Sequence, residues 1–478
     1  MAVASVALEK VVLPAFGEPT VMPKIPPATY EARIDALLAR KGSFGLDLIR
    51  LDDAGVDGFI VYGDREHAAN VAYLTGYDPR FEETLLVVMP DRRPTLLVGN
   101  EGWGYAEIVG GPYERVLYQT FSLPAQPRDR SDHLRTILRE AGIRPGHSIG
   151  AVGWKVFGRG DIGLDDVRTV DLPSFIVETV RGLVGDRGRV INASGIMMGA
   201  GHGLRAINDA DQLAAFEFAA TFTSQGLRNV LDKIESGMTE LGAARLMGMN
   251  GLPHSCHPML TAGRRAAYGL PSPSLDVIGR GDPITMAYGV HGALNARAGF
   301  LVEDAAELPA DISDYVEKLV APYFAAAVDW YETIGIGVTG GALWQAVHDR
   351  IGDPFFGVSL NPGHLIHIEE WMHSPVFEGS DIALGSGMAL QVDIIPATGT
   401  RYFTSNIEDG IALADAALRD EIAARYPEAW GRISARRTFM TETLGIRLKP
   451  EVLPFSNIPA FLPPFWLARD KAMVVSGR

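Results

Sequence analysis

Apolar and polar positions along this chain follow two rhythms, short continuous apolar runs and longer helical stripes. Gly58-Phe59-Ile60-Val61-Tyr62 is an unbroken apolar run and predicts a buried strand. Glu83–Met89 and Pro94–Val98 predict two more, joined by the turn Pro90-Asp91-Arg92-Arg93. Ser131–Ala141 reads as a helix stopped by Gly142, and Ser148–Gly153 as a further strand. Ahead of these, residues 1–28 are proline-rich and read as an arm on the surface, followed by a helix near Tyr30–Lys41. This half therefore predicts a mixed sheet with helices on its faces.

A boundary falls near Gly199–Asn208, beyond which a helical pattern runs from Asp209 to about Glu235. Asn208 or Asp209 can cap its start, and Gly237 ends it. The second half carries a faint repeat. Gly237-Met238-Thr239 follows the first long helix and opens another at Leu241. Gly337-Val338-Thr339 follows a long helix near Ile312–Thr333 and opens another at Ala342. Each is a helix, a Gly-x-Thr turn whose Thr caps, and a further helix, followed by strands, which points to a duplicated half-domain. The strand-like segments are Pro283–Val290, Ala293–Val302, His364–Glu369 and Met388–Ile394, the last with a partner at Asn406–Ile411. The expected fold class is α/β (α+β): an arm at 1–28, a mixed-sheet domain at 29–205, and at 206–478 a pseudo-duplicated, antiparallel-rich sheet covered by helices.

Strand side chains alternate faces. Met388, Leu390, Val392 and Ile394 share an apolar face, so Asp393 and Gln391 look the other way. Glu408 points opposite to Ile407 and Ile411, while His364 shares a face with Ile366 and Ile368. Polar groups on inner strands are costly unless paired or bound to something. His364, Asp393 and Glu408 are therefore candidates for a site.

A length of 478 residues exceeds one ordinary core and fits two domains. The net charge of −15 repels phosphates and argues against nucleic acid as a partner. No window reads as a membrane span and no signal peptide is read at the start, so a membrane partner is not expected. The lone cysteine, Cys256, excludes an intrachain disulfide and fits a reducing, cytoplasmic setting. No phosphate-binding Gly-x-x-x-x-Gly-Lys-[Ser/Thr] occurs, and Gly199-Ala200-Gly201-His202-Gly203 reads as a hinge, not a dinucleotide fingerprint.

Five segments, in order, resemble the creatinase / aminopeptidase P superfamily, whose catalytic domain has the pita-bread fold. Asn70-Val71-Ala72-Tyr73-Leu74-Thr75-Gly76 is similar to the Asn-x-x-Tyr-Leu-Thr-Gly of its N-terminal domain, and Gly281-Asp282 to its Gly-Asp turn. Residues 363–369, Gly-His-Leu-Ile-His-Ile-Glu, resemble its Gly-His-Gly-Ile-Gly-Leu-Glu. Residues 387–393, Gly-Met-Ala-Leu-Gln-Val-Asp, resemble its Gly-Met-Val-Phe-Thr-Ile-Glu, and Asn406-Ile407-Glu408-Asp409 its Arg-Ile-Glu-Asp.

The resemblance implies a hydrolase acting on a C–N bond of a small molecule, and a homodimer. It places His364, Asp393 and Glu408 at three of the family's five metal-ligand positions. The other two, expected to be aspartates, fall at Ala287 and Ala298. Two divalent ions bring four positive charges, which Asp393 and Glu408 alone cannot balance. No cofactor is therefore expected, although His364, Asp393 and Glu408 could hold one divalent metal. Creatinase shares this fold and works without a metal, so the resemblance allows a site in which histidine and carboxylates move protons directly. Unneutralised carboxylates favour a polar or cationic substrate. The loop Ala266–Pro271 lacks the family's histidine, so the substrate does not carry over.

Other residues complete the candidate set. Arg297, if turned inward, would stand where a cation once did and pair with Asp393 or Glu408. His291, in the turn after the first of these strands, is a candidate substitute base or substrate contact. His373 is similar to the family's substrate-binding histidine, and Arg80 is a candidate contact for an anionic group. His254 and His257 flank Cys256, which reads as a buried, inert thiol. Two alternatives stand beside the metal-free hydrolase: a mono-metal hydrolase or lyase using His364, Asp393 and Glu408, and an inactive ligand-binding member of the fold.

Overall fold

The computed structural model describes residues 5–40, 55–158, 161–163 and 168–477. Residues 1–4 of the expected arm and Lys41, the last residue of the predicted first helix, lie outside the described residues. The chain divides into two compact units, Ile25–Ala206 and, drawn from both ends, Met1–Lys24 with Ile207–Arg478. The stretch read as an arm contains a strand, β1 (Ser5–Lys10).

The unit Ile25–Ala206 is built on six strands: β2 (Gly58–Gly63), β3 (Thr84–Val88), β4 (Thr95–Val98), β5 (Glu114–Leu117), β6 (Ser148–Val152) and β7 (Arg189–Asn192). Their order is β5-β4-β3-β2-β6-β7. The β2–β3 and β3–β4 pairs are antiparallel and the other three are parallel, so the sheet is mixed. Every residue of β2, β3 and β4 is buried, which is why these segments read as unbroken apolar runs. The Asn70–Gly76 motif has a structural reason. Asn70 Nδ2 donates to the Gly153 carbonyl at 2.8 Å, and its Oδ1 accepts from Arg205 Nη1 at 2.8 Å. Gly76 closes the helix Ala69–Thr75 at φ 72°, a left-handed conformation that glycine takes without strain.

The other unit holds a seven-stranded sheet: β8 (Met259–Ala262), β9 (Pro283–Val290), β10 (Ala293–Phe300), β11 (His364–Leu365), β12 (Ala389–Asp393), β13 (Asn406–Leu413) and β14 (Val452–Pro454). The order is β11-β12-β13-β10-β9-β8, with β14 also on β13, and every pairing is antiparallel. The last strand, β15 (Lys471–Ser476), pairs antiparallel with β1 along its whole length.

The duplication is visible in its caps. Asp209 caps the helix Ala210–Lys233 by accepting from Gln212 N at 2.8 Å. Thr239 then accepts from Gly242 N at 3.0 Å, and Thr339 from Ala342 N at 3.3 Å. Each threonine also forms an antiparallel bridge, to Val277 and Ala383 respectively. The duplicated helix–turn–helix units thus enclose equivalent strand connections, as the Gly-x-Thr repeat predicts.

One expectation is corrected. The predicted strand His364–Glu369 is a strand only at His364–Leu365. There the chain doubles back: Leu365 N bonds the His373 carbonyl at 2.7 Å, and Ile366 N makes the last bond to β12, to the Ala389 carbonyl at 3.1 Å. The hairpin between β9 and β10 is the one that the predicted segments Pro283–Val290 and Ala293–Val302 leave. Val290 pairs with Ala293, so only His291 and Gly292 lie in the turn. Gly292 takes φ 94°, and a β-carbon there would sit 2.7 Å from the Phe216 ring. Glycine therefore satisfies both the turn and the close helix behind it.

Candidate active site

Cross-strand register assembles the site. Asp393 on β12 lies directly opposite Glu408 on β13, and Glu408 directly opposite Ala296 on β10. Ala296 faces Ala287 on β9, and Ala287 faces Met259 on β8. These five residues form one row across five strands, on one face of the sheet. His364 pairs with Gln391, two residues from Asp393, so it shares that face.

Ala296 is thus the residue that lies directly between Ala287 and Glu408 in this row. Ala298 lies on the same face but one rung along, opposite Asn406 and Thr285. The two-residue hairpin sets this register, and both positions carry alanine.

His364 is the centre of the polar cluster. Its Nε2 is 3.1 Å from Glu370 Oε1 and 3.8 Å from both Asp393 Oδ2 and Glu408 Oε1. Its Nδ1 lies 3.2 Å from the Leu365 carbonyl, and its ring stacks on Trp371 with centroids 4.1 Å apart. Glu370 is the third carboxylate, and strand alternation could not find it. It reaches His364 only because the chain leaves the sheet after Leu365. An acid one residue beyond the motif was the sole signal. Gln391 Nε2 ties the floor together, donating to the Leu294 carbonyl at 2.5 Å and to Glu408 Oε1 at 3.4 Å.

Burial shapes the protonation states. His364 is fully buried, which opposes its charge, yet Glu370, Glu408 and Asp393 together push its pKa up to about 10. Asp393 is pushed up to about 6 by burial, with His364 pulling the other way and Glu370 adding to the rise. Burial raises Glu408 well above the ordinary carboxylate range, and the charge of Asp393 raises it further. Burial thus favours a proton on the Asp393–Glu408 pair, and the surrounding carboxylates favour a cationic His364.

Arg297 does not enter this site. It lies one residue from Ala296 and so faces the opposite side of the sheet. Its Nη2 pairs with Asp409 Oδ2 at 2.7 Å, both side chains buried, while Nε donates to the Phe461 carbonyl at 2.9 Å. The expected pairing with Asp393 or Glu408 is replaced by this ion pair beneath the sheet. Only the backbone carbonyl of Glu408 meets Arg297, at 3.3 Å.

His291 sits half-buried in the β9–β10 turn, its amide bonded to the Pro253 carbonyl at 2.8 Å. The adjoining Gly292 amide meets the Ile368 carbonyl at 3.3 Å, so this turn lies against the loop that carries Glu370. His373 pairs through its backbone with Leu365, beside His364, and its Nδ1 lies 3.3 Å from the Ser374 carbonyl. Arg80 belongs to the unit Ile25–Ala206, where its Nε pairs with Asp78 Oδ2 at 2.8 Å. His257 Nε2 meets the Leu270 carbonyl at 2.7 Å, and His254 lies edge-on to Tyr288. Burial, with Glu370 and Glu408 nearby, pushes the Cys256 thiol up to about 12, so it stays protonated at neutral pH.

The residues present do not fit a two-ion centre. Ala287, Ala296, Met259 and Leu294 form a buried apolar cluster where a second set of carboxylates would have to stand. One divalent cation does fit. Ligand atoms of His364, Glu370 and Glu408 lie within 4.8 Å of one another, and the close approach of His364 Nε2 to Glu370 lacks hydrogen-bond alignment.

No family model matches the chain, and no curated protein does. Solved structures do. A prolidase from Thermococcus sibiricus is similar at 18% identity and TM-score 0.62, covering 82% of this chain and 95% of that chain. An Xaa-Pro dipeptidase from Bacillus anthracis is similar at 18% identity and TM-score 0.58, covering 81% and 96%. An X-Pro aminopeptidase from Thermotoga maritima MSB8 is similar at 17% identity and TM-score 0.57, covering 76% and 92%. The chain thus shares its fold with these prolidases and X-Pro peptidases. No described helix is long and apolar enough to cross a membrane.

Proposed function

We propose that this chain is a hydrolase of a C–N bond in a small molecule, working through paired carboxyl groups instead of a two-ion centre. The observation that carries this reading is the cross-strand pair Asp393–Glu408, buried under His364, with alanines completing the row. Two acids held in different protonation states are what acid–base hydrolysis requires.

The chemistry follows from the positions. Ionised Asp393 takes a proton from water as the water oxygen bonds to the acyl carbon. Cationic His364 stabilises the oxyanion that forms. As the tetrahedral intermediate collapses, the C–N bond breaks and the leaving nitrogen takes the proton of Glu408. Asp393 is then protonated and Glu408 ionised. A proton passed between these facing groups restores the starting state.

A second reading is favoured by the convergence of His364, Glu370 and Glu408. These residues would hold a single divalent ion, which when bound would polarise a carbonyl or a water. A homodimer in a cytoplasmic setting belongs to the same proposal and is tested by light scattering and by fractionation.

The test is hydrolysis of a panel of Xaa-Pro dipeptides, N-alkyl amides and substituted ureas, with and without a chelator. Turnover that persists in chelator and is lost in Asp393→Asn supports the proposal. Turnover abolished by chelation and restored by one equivalent of metal favours the second reading. Tight binding with no turnover across the panel overturns both.

A further inference from the structure

Each half of the duplication carries a short antiparallel ribbon, and the two ribbons share one register. In the first, Gly237 N bonds the Ile278 carbonyl at 2.9 Å, Glu240 N the Asp276 carbonyl at 3.0 Å and Leu241 N the Ser274 carbonyl at 2.9 Å. In the second, Gly337 N bonds the Leu384 carbonyl at 2.8 Å, Gly340 N the Ile382 carbonyl at 2.9 Å and Gly341 N the Ser380 carbonyl at 3.0 Å. Position by position, Leu275 therefore corresponds to Asp381, Val277 to Ala383 and Leu241 to Gly341. The second ribbon exposes an acid and a methyl group where the first exposes two large aliphatic side chains. The backbone bonds are the same in both, so the fold does not require an apolar surface at Leu275 and Val277.

The loop leading into the first ribbon adds to this surface. Tyr268 is 74% exposed, Leu270 70%, Leu275 76%, Val277 64% and Leu241 37%. Together these fractions amount to a little over three whole side chains, or roughly 500 Å², toward the upper end of what a monomer carries in one patch. The surface is also preorganised. Buried Glu240 accepts from Ala262 N and Ser274 N, each at 2.8 Å, and from Arg265, whose Nη2 donates to the Ser272 carbonyl at 2.8 Å. One carboxylate thus ties the loop and the ribbon to the end of β8, and little ordering entropy is lost when the surface is covered. The rim carries both signs of charge. Arg264 is exposed in the turn before Tyr268, and Asp276, between Leu275 and Val277, keeps 69% of its side chain exposed while lying 3.8 Å from Arg265.

We infer that this surface docks a second copy of the chain. The inference deepens the proposed homodimer and rests on it, but not on the hydrolase chemistry. Two such patches facing one another about a two-fold axis remove roughly 1,000 Å² from water, the size at which a specific interface begins. A rim that holds a cation and an anion is complementary to a rotated copy of itself, because the axis brings each sign against the other. A nucleic acid or an acidic peptide would call for a rim of positive charge alone. The second ribbon, with Asp381 and Ala383 outward, stays in solvent.

The test is sedimentation velocity of the full chain. The wild type is expected to sediment as a dimer at micromolar concentration. Leu275→Asp and Val277→Glu are each expected to weaken the dimer at least about tenfold, because each buries an unpaired charge in the contact. Ala383→Glu, at the corresponding exposed position of the second ribbon, should leave association unchanged. These positions are exposed, so circular dichroism should show a wild-type fold in all three variants. A monomeric wild type overturns the inference together with the homodimer on which it rests. A dimer indifferent to Leu275→Asp and Val277→Glu, or weakened as much by Ala383→Glu, overturns this surface and leaves the homodimer standing.

Discussion

Asp393 and Glu408 are directly opposed on β12 and β13, and each brings a carboxylate oxygen to 3.8 Å from the same atom, His364 Nε2. Two buried acids this close to one cation do not titrate alike. Burial raises both, and the charge of Asp393 raises Glu408 further, which separates base from acid. Asp393→Asn and Glu408→Gln should each lower kcat by about a hundredfold to ten-thousandfold. The double variant should be little worse than the poorer single one, because the two act as a unit. Steady-state kinetics on the best substrate of the panel checks this, and single variants retaining near wild-type kcat would contradict it.

The pH profile follows from the same pair. Since Asp393 must be ionised, kcat/KM should fall as pH drops through about 6. The folded state binds this proton more tightly than the unfolded chain does. Its contribution to stability is thus fully present below the unfolded value of 3.8 and is lost as pH rises through about 6. The thermal midpoint of Asp393→Asn relative to wild type should accordingly be higher at pH 7 than at pH 4. A difference that does not vary with pH would contradict the assignment.

His364 titrates with the opposite charge but the same sign of linkage. Its folded pKa, about 10, exceeds the ordinary 6.5, so its stabilisation is fully present below 6.5 and is lost as pH rises through about 10. Glu370 is the largest cause that raises it. Glu370→Gln should move the His364 titration to lower pH, read directly by NMR of the imidazole. An unmoved titration would show that Glu370 does not hold the histidine cationic.

Arg297 and Asp409 form a buried ion pair on the face away from the site. Arg297→Ala leaves Asp409 buried and unpaired, and should destabilise the chain by about 3–5 kcal/mol in urea unfolding. Replacing both partners by apolar residues of similar volume should cost much less. If Arg297→Ala unfolds at the wild-type midpoint, the pair is not formed.

The donor set limits metal content. With Ala287 and Ala296 in the row, purified protein should carry at most one tightly held divalent ion per chain, by elemental analysis. Two ions per chain, surviving gel filtration, would overturn both readings of the site.

The elements that the sequence alone determined are those set by local physics. Unbroken apolar runs identified β2, β3 and β4, because a strand buried on both sides shows no polar face. The Gly-x-Thr turns identified the two capped helices, because a threonine cap and a left-handed glycine act within a few residues. Alternation put Asp393 and Glu408 each on the polar side of its own strand, and the ordered motifs pointed to the fold. Tertiary structure decided everything that depended on how strands align. The register set Ala296 between Ala287 and Glu408, and Arg297, on the other face of its strand, found its partner in Asp409. The reversal after Leu365 delivered Glu370 to His364. A side chain's face is a property of its own strand with period two, whereas its neighbour across the sheet depends on turn length and chain path, which no local pattern encodes.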